Sequence, residues 1–412
     1  MCGICGGIGP KAPNFDLLTA QLKSIEHRGP DDSGTYLAPE ISLGMCRLAI
    51  VEISSGKQPA TDAASQINLV FNGEIYNYRE LREELSKAGV QCNSSSESEV
   101  IIQLYLTYGI DFISRLNGMF AIALYDSRDK TLHLIRDRMG KKPLWISETS
   151  DGTLHFASEV RALMQARPDR TLRTEMISEI MQYGYINSPN SAFNEIKQVP
   201  PASVLTWRDG KSQIKKYWQL DFETKVDISY PEALATTKHL LEAAVKRRLI
   251  SERPLGSFLS GGYDSTIVTA YMAKLMDEKV QTFSIGFKNA QFNEAHHAKE
   301  VATYLGTNHH EEILSPDPVL ILETISKVLD QPFADSSIVP TYLLAKFARE
   351  NLVVALSGDG GDEIFGGYDR YLAAPLMQRI NPLLPLIKAG LNLTSKSSIG
   401  KNRKLKRTSS QL

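Results

Sequence analysis

The sequence has little that would commit it to a special environment. Its 412 residues include only four cysteines, Cys2, Cys5, Cys46 and Cys92. That is too sparse for a disulfide framework and agrees with a reducing compartment, so a cytoplasmic protein is expected. No run of 18 apolar residues occurs, and the N-terminus lacks a basic stretch followed by an apolar one. Neither a membrane span nor a secretory signal is expected. The formal net charge of −1 gives no global attraction to nucleic acid or an anionic membrane. Internal repeats, low-complexity tracts and a GxxxxGK[ST] phosphate loop are also missing. What remains is 42% apolar and 23% charged, an ordinary globular composition with length for two or three domains.

The two halves differ in rhythm. In residues 1–160, Ile67, Leu69 and Phe71 alternate through QINLVFN as in a half-buried strand. MFAIALYDSRDKTLHLIRD reads as a hairpin turning at Asp126 to Asp129, and a second hairpin is expected at Asp151-Gly152. Ser96 and Glu99 have capping-box spacing ahead of VIIQLYLTYG. This half is expected to be α+β, a sandwich with a large antiparallel component. From about residue 230 strands and helices alternate: a helix in PEALATTKHLLEAAVKRRL, strand–loop–helix in LGSFLSGGYDS, a strand in QTFSIGF and strand into loop in NLVVALSGDGGDE. That order predicts an α/β, doubly wound parallel sheet. The expected division is therefore 2–162, a connector 163–229 marked by Ser188-Pro189 and Pro200-Pro201, and 230–412. From Arg370 onward there are nine Lys or Arg and no acid, which reads as a solvated basic tail ending KNRKLKRTSSQL.

Cys2 is the first chemical candidate. A free thiol is mostly protonated at neutral pH, and the thiolate is the nucleophile. Removal of Met1 would leave an α-amine on the same residue as the sulfur, the base–nucleophile arrangement of N-terminal nucleophiles. The following glycines allow a substrate to approach closely. Two blander readings stand beside this: a buried inert cysteine, or a Cys2–Cys5 metal or redox pair. Asn72 and Gly73 in FNGEIYNYRE offer an amide and a backbone N–H to an oxyanion, or simply a turn. Arg47 is a candidate carboxylate clamp, or a surface charge.

The second half carries LSGGYDST, with Ser260, Gly261, Gly262 and Ser265 ahead of a helix start, a seat for phosphate. No lysine accompanies it, so Asp264 would repel phosphate without a cation; Mg²⁺ is implied. SGDGGDEIFGGY adds Asp359, Asp362 and Glu363 after another strand. Parallel sheets bind ligands at the carboxyl ends of their strands, which brings both loops to one crevice.

Taken together, these segments resemble the glutamine-hydrolysing asparagine synthetases along nearly the whole chain. MCGI, HRGPD, RLAIV, FNGEIYNYRELREEL, LNGMFAIALYD, RDRMGKKPL and FASEVRAL resemble the class II glutaminase half. LSGGYDS, TFSIGF, PFADSS and SGDGGDE resemble the ATP-pyrophosphatase half. The resemblance implies an N-terminal-nucleophile glutaminase fold followed by a doubly wound synthetase domain. It implies that Cys2 attacks glutamine's amide, that Asn72 and Gly73 hold the oxyanion, and that the glutamine site comprises Arg47, Leu48, Ala49, Ile50, Val51, Glu74 and Glu97. It places ATP on Leu259, Ser260, Gly261, Gly262, Asp264, Ser265, Ile285, Ser357 and Gly358, with Asp359 in adenylate formation and Mg²⁺ on Asp264 and Asp362. Glutamine, aspartate and ATP are the expected partners, with a homodimer as the candidate assembly.

The chain departs from the family pattern at Glu97, where an aspartate is usual, at Met45 in place of histidine, and at Glu52 in place of aspartate. Family members also continue through a helical region with a catalytic lysine whose motif is absent here, and Lys404 and Lys406 have no matching context. Two other readings follow: amidation of a different carboxylate, or a glutaminase-only or regulatory ATP-binding protein.

Overall fold

The computed structural model describes residues 1–54, 56–287, 294–314 and 318–380. The basic tail beyond Ile380, with Lys404 and Lys406, lies outside the described residues.

Among the described residues, twelve strands build the N-terminal half: β1 (Gly3–Ile8), β2 (Asp32–Ala38), β3 (Ile41–Arg47), β4 (Ala60–Thr61), β5 (Ile67–Ile75), β6 (Gly118–Asp126), β7 (Thr131–Arg136), β8 (Trp145–Glu148), β9 (Leu154–Ala157), β10 (Lys197–Gln198), β11 (Ser203–Arg208) and β12 (Lys211–Lys216). They form two six-stranded sheets, ordered β10-β8-β9-β1-β3-β2 and β12-β11-β7-β6-β5-β4. Pairing within both is antiparallel. The sheets stack through Ile4, Ile8, Leu43 and Met45 of one and Val70, Ala123 and Leu134 of the other. Helices α1 (Phe15–Ser24) and α4 (Val160–Ala166) cover the first sheet, with Leu18 and Leu163 in that layer. Helices α2 (Tyr78–Lys87) and α3 (Glu97–Tyr108) cover the second through Leu81, Leu85 and Ile101. The expected sandwich is present, clad on both sides by helices.

Three local expectations change. Ile67, Leu69 and Phe71 do share a face, but Asn68 and Val70 between them are also buried, because β5 is covered by helices on one side and by a sheet on the other. Ser96 caps α3 by accepting the Glu99 N–H at 3.1 Å, but the Glu99 carboxylate turns to the Asn93 and Ser94 N–H groups, so the capping box is only half made. The stretch 163–229 is not only a link: Lys197–Gln198, Ser203–Arg208 and Lys211–Lys216 are strands of the two sheets, and α5 (Met176–Tyr183) precedes them. Strand-bearing structure of the N-terminal half therefore runs to Lys216.

Helix α6 (Tyr230–Arg248) opens the second half with a complete capping box between Ser229 and Glu232. After it come β13 (Leu255–Phe258), α7 (Tyr263–Leu275), β14 (Gln281–Phe287), α8 (Ala295–Leu305), β15 (Asn308–Leu314), α9 (Pro318–Val328), α10 (Ile338–Arg349), β16 (Val354–Leu356), α11 (Gly361–Phe365) and α12 (Asp369–Ile380). All pairs in the sheet are parallel and its order is β15-β14-β13-β16. Strand order reverses between β13 and β16, the switch point where such sheets open a crevice. The two glycine-rich loops leave these two strands.

Candidate active site

Strand parity assembles the first site. In β1, side chains alternate, so Cys2 points with Ile4 into the inter-sheet layer while Cys5 points into the opposite cluster beneath α1. The two thiols thus stand on opposite faces and do not form a pair; all four cysteines are free. Gly3 pairs with Cys46, which sets Cys2 opposite Arg47 at the same end of the layer. On β5, Asn72 and Glu74 share the parity of Val70 and face the same layer. Asn72 and Gly73 pair with Ala121 and Phe120, so they belong to a strand interior rather than a turn.

The Cys2 thiol is half-buried and meets both polar groups of Leu48: the Leu48 N–H donates to Sγ at 3.4 Å, and Sγ–H donates to Leu48 O at 3.6 Å. Burial pushes the thiol pKa up, while the Leu48 N–H, the N-terminal amine and Arg47 pull it down. The Met1 amine is lowered to about 6, mainly by burial, with Arg28 and Lys142 acting in the same direction. The Asn72 side-chain Nδ2 is buried with no hydrogen-bond partner among the described residues, a donor left free on this face of β5. A Cβ on Gly73 would overlap Met119 O, so only glycine fits between the strands there.

Arg47 is 7% exposed, so it is no surface charge. Its guanidinium donates to Ile53 O at 3.1 Å, Val51 O at 3.2 Å and Glu52 O at 2.8 Å, bending the segment after β3 around itself. Burial raises Glu74 to about 7, against the pull of Lys142 and Arg47. Glu97 is raised well above the carboxylate range by burial and by Glu74, although it accepts the Ile75 N–H at 2.7 Å. The longer residue at 97 therefore still reaches the β5 backbone. Glu52, with one buried carboxylate oxygen unpartnered, joins Glu74 and Glu97 in this acidic group. Leu48, Ala49, Ile50 and Val51 lie on the segment that Arg47 gathers.

The second site is a cleft of about 1760 Å³ over the switch point, lined by Leu259, Ser260, Gly262, Asp264, Ser265, Ile285, Ser357, Gly358, Asp359 and Asp362. Gly261 is not in its wall. It takes φ +83°, and a Cβ there would press on Ala298 N at 2.7 Å, so it shapes the turn from beneath. Ser260 and Ser265 are linked at 3.0 Å between hydroxyls, and Gly262 begins α7 with no side-chain cap. The first N–H groups of a 13-residue helix are thus left for an anion. A Cβ on Gly358 would stand 2.6 Å from Ser265 N, so the second loop packs directly on the first. Burial, Asp362 and Glu363 raise the Asp264 carboxyl. Among the described residues, no group of three or more His, Cys, Asp or Glu has a metal-holding arrangement. Met1 also lines this cleft, one residue from the thiol.

The sequence reading missed the residues that join the halves. Glu252 and Arg253 grip the segment 49–53, and Asp330 contacts Val160 and Arg161. It also left Lys142 of RDRMGKKPL unassigned, although that ammonium acts on Glu74 and on the chain's amine. Among the described residues, no helix is long and apolar enough to cross a membrane.

Comparison with known proteins matches a glutamine amidotransferase domain to residues 1–218 and an asparagine synthase domain to residues 236–411. Asparagine synthetase [glutamine-hydrolyzing] 1 of Bacillus subtilis is 35% identical over 90% of this chain and 59% of its own length. A Methanocaldococcus jannaschii protein, provisionally named asparagine synthetase [glutamine-hydrolyzing] 2, is 34% identical over 93% of this chain and 78% of its own. Asparagine synthetase [glutamine-hydrolyzing] 3 of Bacillus subtilis is 33% identical over 89% of this chain and 63% of its own. The chain thus spans about three fifths of the two Bacillus subtilis relatives. With both domains matched in the same order and a relative 34% identical over 78% of its own length, the chain belongs to the family of glutamine-hydrolysing asparagine synthetases.

Proposed function

We propose that the chain hydrolyses glutamine at Cys2 and uses the ammonia to amidate aspartate in the nucleotide cleft, giving asparagine, glutamate, AMP and pyrophosphate. The observation that carries the first step is Asn72: a buried amide N–H without a partner, on the face of β5 that meets the thiol layer. A tetrahedral oxyanion formed by thiol attack would accept that N–H together with the Gly73 backbone. With Met1 removed, the α-amine would stand on Cys2 itself, the same residue as the thiol, and in its neutral form would take the thiol proton. Arg47 would hold glutamine's α-carboxylate, and Glu74 and Glu97 its α-ammonium. A bound cation would restore to these buried carboxylates the charge that burial discourages. Leu48 to Val51 would line the substrate's place.

In the cleft, Leu259 and Ile285 would flank adenine at the ends of β13 and β14. The start of α7, with Ser260, Gly262 and Ser265, would seat the phosphates, and Ser357 and Gly358 would line the opposite side. The residues fit Mg²⁺ arriving with ATP: Asp264 and Asp362 crowd each other, and two carboxylates leave the remaining positions to phosphate oxygens. When bound, that ion would neutralise the departing pyrophosphate. The aspartate β-carboxylate would attack the α-phosphorus, its new P–O bond replacing the bond to the departing pyrophosphate, with Asp359 in the cleft wall where the adenylate forms. Ammonia would displace AMP from the acyl-adenylate. Met1 lines the cleft and precedes Cys2 in the chain, so its removal would leave that space open between the two sites, which supports a short route for ammonia.

Cys2→Ala tests the division of labour. Glutamine hydrolysis should disappear while ammonium-supported asparagine formation with ATP and aspartate continues. Simultaneous loss of both, or ATP turnover that ignores aspartate but responds to another carboxylic acid, overturns the reading.

A further inference from the structure

Immediately before β13, Glu252 and Arg253 reach across to the glutaminase half. The Glu252 carboxylate accepts the N–H of Glu52 at 2.7 Å and of Ile53 at 3.3 Å, and its own N–H donates to Ile50 O at 3.0 Å. Arg253 Nε donates to Ala49 O at 2.9 Å, and its Nη2 lies 3.3 Å from Asp31 Oδ2, which accepts the Ala49 N–H. The carbonyls of Val51, Glu52 and Ile53 are the same groups that receive the Arg47 guanidinium. Segment 49–53 is therefore gripped from two sides: by Arg47 from its own half and by Glu252 and Arg253 from the other. Glu52 sits at φ 52°, a left-handed conformation that costs a non-glycine residue energy and needs outside support.

We infer that Glu252 and Arg253 are positioning residues for glutamine, stapling segment 49–53 so that Arg47 is held ready for the substrate carboxylate. The inference rests on the proposed role of Arg47. Pre-organisation of this kind appears in substrate affinity rather than in the chemical step, because the two residues hold the backbone of segment 49–53 and Asp31, while the thiol's hydrogen bonds are to Leu48. It also ties glutamine affinity to the synthetase half, since Phe258, three residues past Leu255 on the same strand, leads into the phosphate loop.

The experiment uses the full chain with Glu252→Ala, Glu252→Gln and Arg253→Ala. Glu252 is exposed, so its replacement leaves the core intact. Two readouts are taken: amide hydrogen exchange across residues 48–54, and KM and kcat for glutamine hydrolysis. Glu252→Ala should speed exchange and raise KM about tenfold, equivalent to about 1.4 kcal/mol, with kcat within about twofold. Glu252→Gln keeps one acceptor oxygen and should fall between it and the wild type. Unchanged exchange and KM overturn the inference, as does faster exchange at constant KM or an equal loss in kcat. A wild-type chain without glutamine hydrolysis refutes the proposed function instead, and the exchange data then still decide whether the staple exists.

Discussion

Asp330 caps the helix that begins at Val160, 170 residues earlier in the chain. Its two carboxylate oxygens accept the N–H groups of Val160 and Arg161, the latter at 2.8 Å. Glu159, the residue at the cap position, supplies no side-chain cap and instead pairs with Arg28 at 2.8 Å. Arg28 in turn donates from Nε to Cys2 O at 2.9 Å. A path of charge-assisted contacts thus runs from the loop before PFADSS to the residue that carries the thiol.

Asp330→Ala should expose this dependence. A lost N-cap costs about 1 kcal/mol, and the first turn of α4 should exchange its amides faster. Asp330→Asn retains an acceptor and should lose less. Hydrogen exchange at residues 160–163, read beside the alkylation rate of Cys2, checks both. Equal exchange in all three proteins would mean the cap adds nothing to α4.

Glu74 gives a pH prediction with a definite sign. Its carboxyl is raised to about 7, so it is charged above that pH and neutral below. If it pairs with glutamine's ammonium, kcat/KM should fall as pH drops below about 7, and Glu74→Gln should be weak throughout and lack that limb. Stability moves the opposite way. A carboxyl whose folded pKa lies above its unfolded value costs stability as pH rises through that window. Glu74→Gln should therefore melt higher than wild type at pH 8, with the advantage fading toward pH 4. A mutant with the same acidic limb would assign that titration to another group.

How much of this was legible follows from distance along the chain. Ile67, Leu69 and Phe71 and the LSGGYDS loop could be placed because strand parity and a strand–loop–helix pattern are written within ten residues. The hairpin at Asp209-Gly210 was equally local, with both residues at positive φ (50° and 76°) between β11 and β12. It was passed over because the neighbouring Pro200-Pro201 reads as a linker. Glu252 against Glu52, and Asp330 against Val160, are another matter. Such pairs join residues 170 to 200 apart, and no periodicity or spacing marks them. Nor does composition reveal that Arg47 spends three of its five donors on the carbonyls of its own loop, since that depends on the chain's path after β3.

Gly361 offers the sharpest test of the cleft. Its φ is not in the left-handed range, and it opens α11, where alanine is a better helix former than glycine. Backbone energetics alone would therefore favour Gly361→Ala. A Cβ at this position, however, would overlap the carboxylate of Asp264, whose side chain must swing away. If Asp264 has to face Asp362 to receive the metal-bound phosphates, the substitution should weaken ATP binding about tenfold while the melting temperature holds or rises. Glutamine hydrolysis in the other half should stay within about twofold. Calorimetric titration with ATP and Mg²⁺, beside thermal unfolding, separates the outcomes: unchanged nucleotide affinity in a stable variant would show that the position of Asp264 is immaterial.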